Sequence, residues 1–250
     1  MTDAPVLQQP PLEHYAPLTD EERDAFKGKL AVVTGASRGF GYAISTLLAE
    51  CGAHVIAVAR TVEGLEDLDD TIRAAGGEPP TLVPLNLTDG PGVDRLGASI
   101  QERWGKLDLF IGNAGVIGQV SPLTHVKAKA WAEAMEVNVS ANWRLLRTLD
   151  PVLRAAGSAR VVFITSGAAH QLRPYFGPYA VSKMALEGLA KIYAIETQST
   201  GVGVCLFSPG PMRTALRAKA RPGENPEDVP PPAEIAPGVL RLALAECPTS

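Results

Sequence analysis

The sequence predicts an α/β domain in which helices cover both faces of a doubly wound parallel sheet of six or seven strands. Three observations carry this: short apolar runs recur along the chain, helical patterns lie between them, and the first run opens into a glycine-rich turn. Apolar runs without polar alternation mark strands buried on both faces. Strand–helix alternation winds such strands into a parallel sheet through right-handed crossovers. A length of 250 residues fits one domain of this kind.

Residues 1–28 are polar, carry Pro5, Pro10, Pro11 and Pro17, and read as a mobile N-terminal arm. Within it Thr19-Asp20-Glu21-Glu22 is a capping box, because Thr19 and Glu22 can satisfy each other's orphan N–H groups, and it predicts one short helix. The main domain is expected over residues 29–250. Strands are predicted at Leu30–Thr34, His54–Ala59, Thr81–Leu85, Leu107–Ile111, Arg160–Thr165 and Val202–Phe207. Helices are predicted at Tyr42–Cys51, Val62–Ala75, Val93–Trp104, Ala130–Ala156, Tyr179–Ser199 and Ala233–Ala245. The acidic run Glu63, Glu66, Asp67, Asp69, Asp70 reads as a solvated helix face.

A net charge of −4 argues against a nucleic-acid partner, which needs a strongly basic face. The four histidines lie at least 40 residues apart, so no metal-ligand spacing exists within one element. Cys51, Cys205 and Cys247 form no C-x-x-C pair and read as reduced thiols. No apolar run is long enough to span a membrane, and Met1 to Gln9 lacks the pattern of a signal peptide. A cytoplasmic address is expected.

Thr34-Gly35-Ala36-Ser37-Arg38-Gly39-Phe40-Gly41 follows the first strand and opens a helix. Glycines there allow a sharp turn and close approach to a pyrophosphate, whose charge meets free N–H groups at the helix N-terminus. The expected fold is therefore Rossmann-like. NAD sites usually place an acid at the end of the second strand to hold the adenosine ribose. Eighteen residues past Gly41 stands Ala59, followed by Arg60. Arg60 and Arg38, with no carboxylate beside them, suit a 2′-phosphate, which a guanidinium pairs bidentately. The predicted cofactor is NADP(H).

Tyr179-Ala180-Val181-Ser182-Lys183 puts a phenol and an ammonium on one helix face. A nearby ammonium favours the phenolate and is expected to lower the Tyr179 pKa, which would make it an acid/base near neutral pH. Ser166 ends the fifth strand, at the edge where open α/β sheets bind ligands. Tyr175 is a rival phenol, eight residues from Lys183 and flanked by Pro174 and Pro178.

Over about Lys29 to Ala245 the chain resembles the single-domain, shorter-chain type of the short-chain dehydrogenase/reductase family. The resemblance rests on an ordered set: Thr34-Gly-x-x-x-Gly-x-Gly41, Asn113-Ala114-Gly115, Asn138, Ser166, Tyr179-x-x-x-Lys183 and Pro209-Gly210. The interval of 13 residues from Ser166 to Tyr179 is also the family's. The resemblance implies that Tyr179 exchanges a proton with the substrate oxygen and Ser166 holds that oxygen. It implies that Lys183 lowers the tyrosine's pKa and binds the nicotinamide ribose, and that Asn138 supports a proton-relay water. The implied cofactor contacts are Gly35, Ser37, Arg38, Gly39, Phe40, Gly41, Arg60, Asn86, Leu87, Asn113, Ala114, Gly115, Tyr179, Lys183, Pro209, Gly210, Met212 and Thr214. No metal is implied. The implied partners are a small carbonyl or alcohol substrate and further copies of the chain, as a homodimer or homotetramer. Helices near Ala130–Ala156 and Tyr179–Ser199 would form that interface, with Val137, Leu145, Leu149, Ala185, Leu189 and Ile192 as candidates, although some of these must pack on their own sheet.

The match has departures. Asn86 stands where the family usually has aspartate near the adenine, and Gly112 where a second asparagine is frequent. The family continues into a seventh strand and a tail, whereas Ser250 follows soon after the last predicted helix, so a six-strand sheet or a shortened chain is expected. A cofactor-binding regulator without turnover should lack part of Ser166, Tyr179 and Lys183, and all three are present. An isomerase of related fold would need a longer C-terminal region. The predicted substrate walls are Val116–His125, Gly167–Pro178 and Pro211–Pro232. In them Leu172, Tyr175, Phe176 and Met212 suggest an apolar pocket and His170 a polar group.

Overall fold

The computed structural model describes residues 15–245. Within them β1 (Leu30–Thr34), β2 (His54–Ala59), β3 (Thr81–Pro84), β4 (Leu109–Gly112), β5 (Ala159–Ile164) and β6 (Val202–Phe207) form one parallel sheet, ordered β3-β2-β1-β4-β5-β6. The helices are α1 (Asp20–Asp24), α2 (Gly39–Glu50), α3 (Val62–Ala74), α4 (Gly90–Arg103), α5 (Ala128–Met135), α6 (Ala141–Ala155), α7 (Ala168–Gln171), α8 (Gly177–Glu196), α9 (Ala215–Ala220) and α10 (Pro232–Leu244). The sheet is Rossmann-like, as the strand–helix alternation predicts.

Successive side chains of a strand point to opposite faces, and here each face has its own core. Ala31 and Val33 of β1, Val55 and Ala57 of β2, and Leu109 and Ile111 of β4 join α2, α3 and α10 on one side. Leu30 and Val32, Ile56 and Val58, and Phe110 join α4, α6 and α8 on the other. On α3, Leu65, Leu68 and Ile72 are buried at helical spacing, while Glu63, Glu66, Asp67 and Asp70 face solvent.

Strand order reverses at β1, which pairs with β2 on one side and β4 on the other. Loops leaving the carboxyl ends of β1 and β4 diverge there and open the crevice in which such folds take ligands. Because every strand runs the same way, all the candidate residues that follow strands gather at this edge.

Three expectations need correction. Residues 15–28 are packed: Leu18 and Phe26 are buried in the core beside α10. Arg241 of α10 binds Glu22 at 2.7 and 3.0 Å and the Ala16 and Pro17 carbonyls, strapping the segment down. The capping box itself is present, with Thr19 N–H donating to Glu22 at 2.8 Å; residues 1–14 of the expected arm lie outside the described residues. Ala130–Ala156 is not one regular helix, since a π-type turn over Glu136–Ser140 separates α5 from α6. Leu145 and Leu149 are fully buried against their own sheet and cannot serve an interface between copies.

Among the described residues no helix is long and apolar enough to cross a membrane, and no cluster of His, Cys, Asp or Glu could hold a metal ion. Cys51 and Cys205 are buried; Cys247 lies outside the described residues.

Candidate active site

The glycine turn after β1 is held from below. Thr34 Oγ1 donates to the Ile111 carbonyl at 3.3 Å and accepts from the N–H groups of Asn113 at 3.0 Å and Ala114 at 3.1 Å. The Asn113 amide donates to the Thr34 carbonyl at 2.8 Å. Gly35 and Gly39 take φ of +68° and +59°, a region L side chains rarely adopt. A Cβ on Gly41 would fall on the Gly35 carbonyl oxygen and the Asn113 amide. Gly41→Ala should therefore displace the turn, lowering cofactor affinity at least tenfold and stability by about 1–3 kcal/mol. Cofactor titration and thermal melting would read the two losses.

The turn leaves its amides open. Among the described residues no acceptor meets the backbone N–H of Ser37, Arg38, Gly39 or Phe40, and Arg38 gives α2 no side-chain cap. Open amides at a helix N-terminus are an anion site. The Ser37 hydroxyl is bound by Thr61 at 2.9 Å, which fixes the turn against the start of α3. Thr214, after β6, places its methyl 3.4 Å from where a Gly39 Cβ would stand, so the Pro209–Thr214 segment borders the same turn. Arg38 and Arg60 are exposed, and among the described residues neither side chain has a hydrogen bond or ion pair. These features fit a dinucleotide with an extra phosphate on its adenosine ribose.

Several implied cofactor residues take other work for their side chains. Leu87 is buried in the core beside α4 and Met212 in the core beside α10, which leaves only their backbones to face a ligand. Asn86 is exposed, and its Oδ1 accepts from the Thr88 N–H at 3.2 Å.

Ser166 and Tyr179 are neighbours: the Ser166 side chain lies close enough to the phenol to favour its ionised form, and Ser166 Oγ accepts from the Ala168 N–H at 3.2 Å. Lys183, buried one turn along α8, donates to the Ile164 carbonyl at 2.6 Å, with its ammonium 5.9 Å from the Tyr179 ring centre. A Cβ on Gly115 would stand 3.6 Å from that ammonium and 3.3 Å from Asn138 Oδ1, so the loop after β4 borders Lys183. Burial pulls the Lys183 pKa down to about 8, against the opposing charge of Glu187. Burial also pushes the Tyr179 phenol up, and the Ser166 side chain only partly offsets this. The phenol thus moves in the direction opposite to the one the Tyr-x-x-x-Lys spacing predicts. Desolvation of the phenolate outweighs an ammonium whose hydrogen bond goes to a carbonyl.

Asn138 sits in the π-type turn and is fully buried. Its Oδ1 accepts from the Val116 N–H at 2.8 Å, and its Nδ2 donates to the Val116 carbonyl and to Ser182 Oγ, each at 2.8 Å. The side chain thereby ties the loop after β4 to α8, and Asn142 donates to its backbone carbonyl at 2.9 Å. A widened helical turn of this type is a common device at functional sites.

The rival phenol Tyr175 is 57% exposed, with φ of +74°, on the outside of its loop. Leu172 is likewise exposed, and Phe176 lies under the Arg221 guanidinium, 5.8 Å from its ring centre. Sequence reasoning missed Thr34, Ser182 and Glu187. Thr34 heads the glycine motif without a role of its own, and Ser182 stands at a spacer position of Tyr179-x-x-x-Lys183. Glu187, an acid on the buried face of an apolar helix, was the signal available for the third.

Comparison with known proteins agrees with this fold. The family model described as short chain dehydrogenase matches residues 29–225. The uncharacterized oxidoreductase YciK of Escherichia coli (strain K12) is 34% identical over 231 residues, 92% of this chain and 90% of that protein. Dehydrogenase/reductase SDR family member 4 of Bos taurus is 32% identical over 194 residues, 78% of this chain and 69% of that one. A structure from Escherichia coli CFT073, complexed with NADPH, superimposes with a TM-score of 0.85 at 34% identity, covering 88% of this chain and 92% of that one. With its fold, its edge cluster and these matches in agreement, the chain belongs to the short-chain dehydrogenase family of oxidoreductases.

Proposed function

We propose that the chain is an NADP(H)-dependent enzyme that interconverts a small carbonyl compound and its alcohol. The observation that carries this is the Ser166–Tyr179–Lys183 cluster standing beside open amides and two unpaired arginines. Arg38 and Arg60 would hold the 2′-phosphate, the Ser37–Phe40 amides the pyrophosphate, and Lys183 the nicotinamide ribose. Asn113, Ala114, Gly115, Pro209, Gly210, Thr214 and the backbone of Met212 would line the rest, with Asn86 at the adenine and the backbone of Leu87 beside it. When bound, the cofactor supplies or accepts the hydride.

The chain's own residues then handle the oxygen. In the reducing direction Tyr179 gives its proton to the substrate oxygen, which Ser166 holds by a hydrogen bond; oxidation reverses both. Bringing the Lys183 ammonium toward the phenol would offset the desolvation that now raises it. Asn138 keeps the β4 loop and α8 in register, which sets the space around Lys183 and any proton-relay water there. NADPH consumption monitored by absorbance with a panel of ketones and aldehydes tests the reading; a net loss of NADPH matched by alcohol is expected. Turnover of a substrate with no net change in NADPH would point instead to an isomerase.

We further propose that the enzyme works in the cytoplasm as a homo-oligomer. Val181, Met184, Ile192 and Ile195 form an exposed apolar stripe at helical spacing along α8, and Trp131 of α5 and Trp143 of α6 are also exposed. Ile192 and Ile195 are 59% and 58% exposed, and a patch of this kind marks a protein interface. Of the candidates implied by sequence, Ile192 lies on this stripe. Ile192→Glu with Ile195→Glu should give a monomer by light scattering where the unmodified protein is at least a dimer; a monomeric unmodified protein would overturn the proposal.

A further inference from the structure

Glu187 is a buried carboxylate that the chemistry above does not use. It lies one turn beyond Lys183 on α8, with its side chain 5% exposed. Its Oε1 accepts from Thr165 Oγ1 at 2.6 Å, and His170 Nε2 lies 3.0 Å from its Oε2. Thr165 stands between Ile164, whose carbonyl holds Lys183, and Ser166. His170 belongs to α7, the short turn that follows Ser166. A carboxylate is stable out of water only when paired or hydrogen-bonded. This one is bound to the wall of the site on one side and to a half-exposed imidazole on the other.

We propose that Glu187 is a positioning residue for the reaction: its carboxylate supports the Lys183 ammonium through space and pins the Thr165–His170 segment that carries Ser166. The inference rests on the reading of Lys183 as ribose ligand and tyrosine partner. Among the described residues Lys183 makes no ion pair, so the influence of Glu187 on it is electrostatic rather than a contact. The other titratable group facing Lys183 is Tyr179, on its own helix. Around the ammonium, β5 contributes the Ile164 carbonyl, the β4 loop Gly115 and the π-type turn Asn138, all uncharged. β6 carries no charged side chain, Lys129 and Glu133 of α5 are exposed, and His170 of α7 meets Glu187 itself.

The sign follows from these neighbours. Glu187 opposes the burial that draws Lys183 down, so removing its charge makes the ammonium lose its proton at a lower pH. NADPH binding needs that proton, so its affinity should fall as pH rises through the Lys183 ionisation. Fluorescence titration of NADPH across neutral and alkaline pH reads this without turnover. In the unmodified protein the fall should set in at about pH 8. In Glu187→Gln, which keeps the hydrogen-bonding shape, it should set in roughly one pH unit lower. Glu187→Asp keeps the charge and should follow the unmodified protein. Should the Gln variant not fold, Glu187→Met removes the same charge at similar length and is expected to shift the profile equally. A Gln or Met profile superimposed on the unmodified one overturns the proposal, as does an Asp profile displaced as far as either. An unmodified protein whose affinity ignores alkaline pH overturns the reading of Lys183 beneath it.

Discussion

Tyr179→Phe should lower kcat by about 10²–10⁴-fold, the contribution typical of a positioned general acid, while NADPH affinity stays nearly unchanged. The substitution removes only the hydroxyl. The ring that packs near Lys183 remains, and the Ile164 carbonyl still holds the ammonium. Lys183→Ala, by contrast, should damage affinity and turnover together, because one ammonium serves both ribose and phenol. Ser166 supplies an internal comparison. Its side chain adjoins the same phenol and favours its ionised form, and Ser166→Ala should lose rate with little loss of cofactor. A Phe variant retaining most of its activity would require another acid. Tyr175 is poorly placed to be that acid, being exposed on a loop whose carbonyl accepts from the Ser121 N–H at 3.0 Å.

Replacing Arg38 and Arg60 together by alanine should weaken NADPH binding by ten- to several-hundredfold and leave NADH binding nearly unchanged. Each charge-assisted hydrogen bond contributes about 1.5–3 kcal/mol, and each ~1.4 kcal/mol is a tenfold change in affinity. Both side chains are exposed, so solvent and salt screen them and the lower part of that range applies at high ionic strength. The arginine pair is a cleaner target than Ala59, whose side chain is buried at the end of β2, where an introduced carboxylate would itself be desolvated. Titration of both cofactors into the unmodified and double-variant proteins reads the effect. Equal affinities of the unmodified protein for NADPH and NADH would mean that the two guanidiniums face water.

Much of the fold was legible in the sequence because the strands are buried on both faces. β1, β2 and β6 begin and end where their uninterrupted apolar runs do. The apolar run starts two residues ahead of β4 because Leu107 and Asp108 are buried at the mouth of the ladder, where the Asp108 backbone bonds Leu30 and Arg160 and its carboxylate also accepts from the Leu30 N–H at 2.9 Å. Residues 15–28 were misread because two core residues, Leu18 and Phe26, are sparse among prolines and charges. The ion pair that straps them down involves Arg241, more than 200 residues away. The π-type turn is invisible to periodicity, since it is set by the tertiary bonds of Asn138 to Val116 and Ser182. The candidate site was legible in its membership, because motifs that follow parallel strands must share one edge. Its electrostatics were not. Spacing places an ammonium near a phenol, but only burial shows that desolvation now dominates both pKa values.

The most direct test is a crystal structure of the complex with NADP⁺. It should place the 2′-phosphate between Arg38 and Arg60, the pyrophosphate on the amides of Ser37 to Phe40, and the nicotinamide ribose at Lys183. The nicotinamide ring should then face the space between Ser166 and Tyr179. A cofactor whose 2′-phosphate lies in solvent would contradict the preference for NADP(H). One whose nicotinamide lies away from Tyr179 would contradict the proposed chemistry itself.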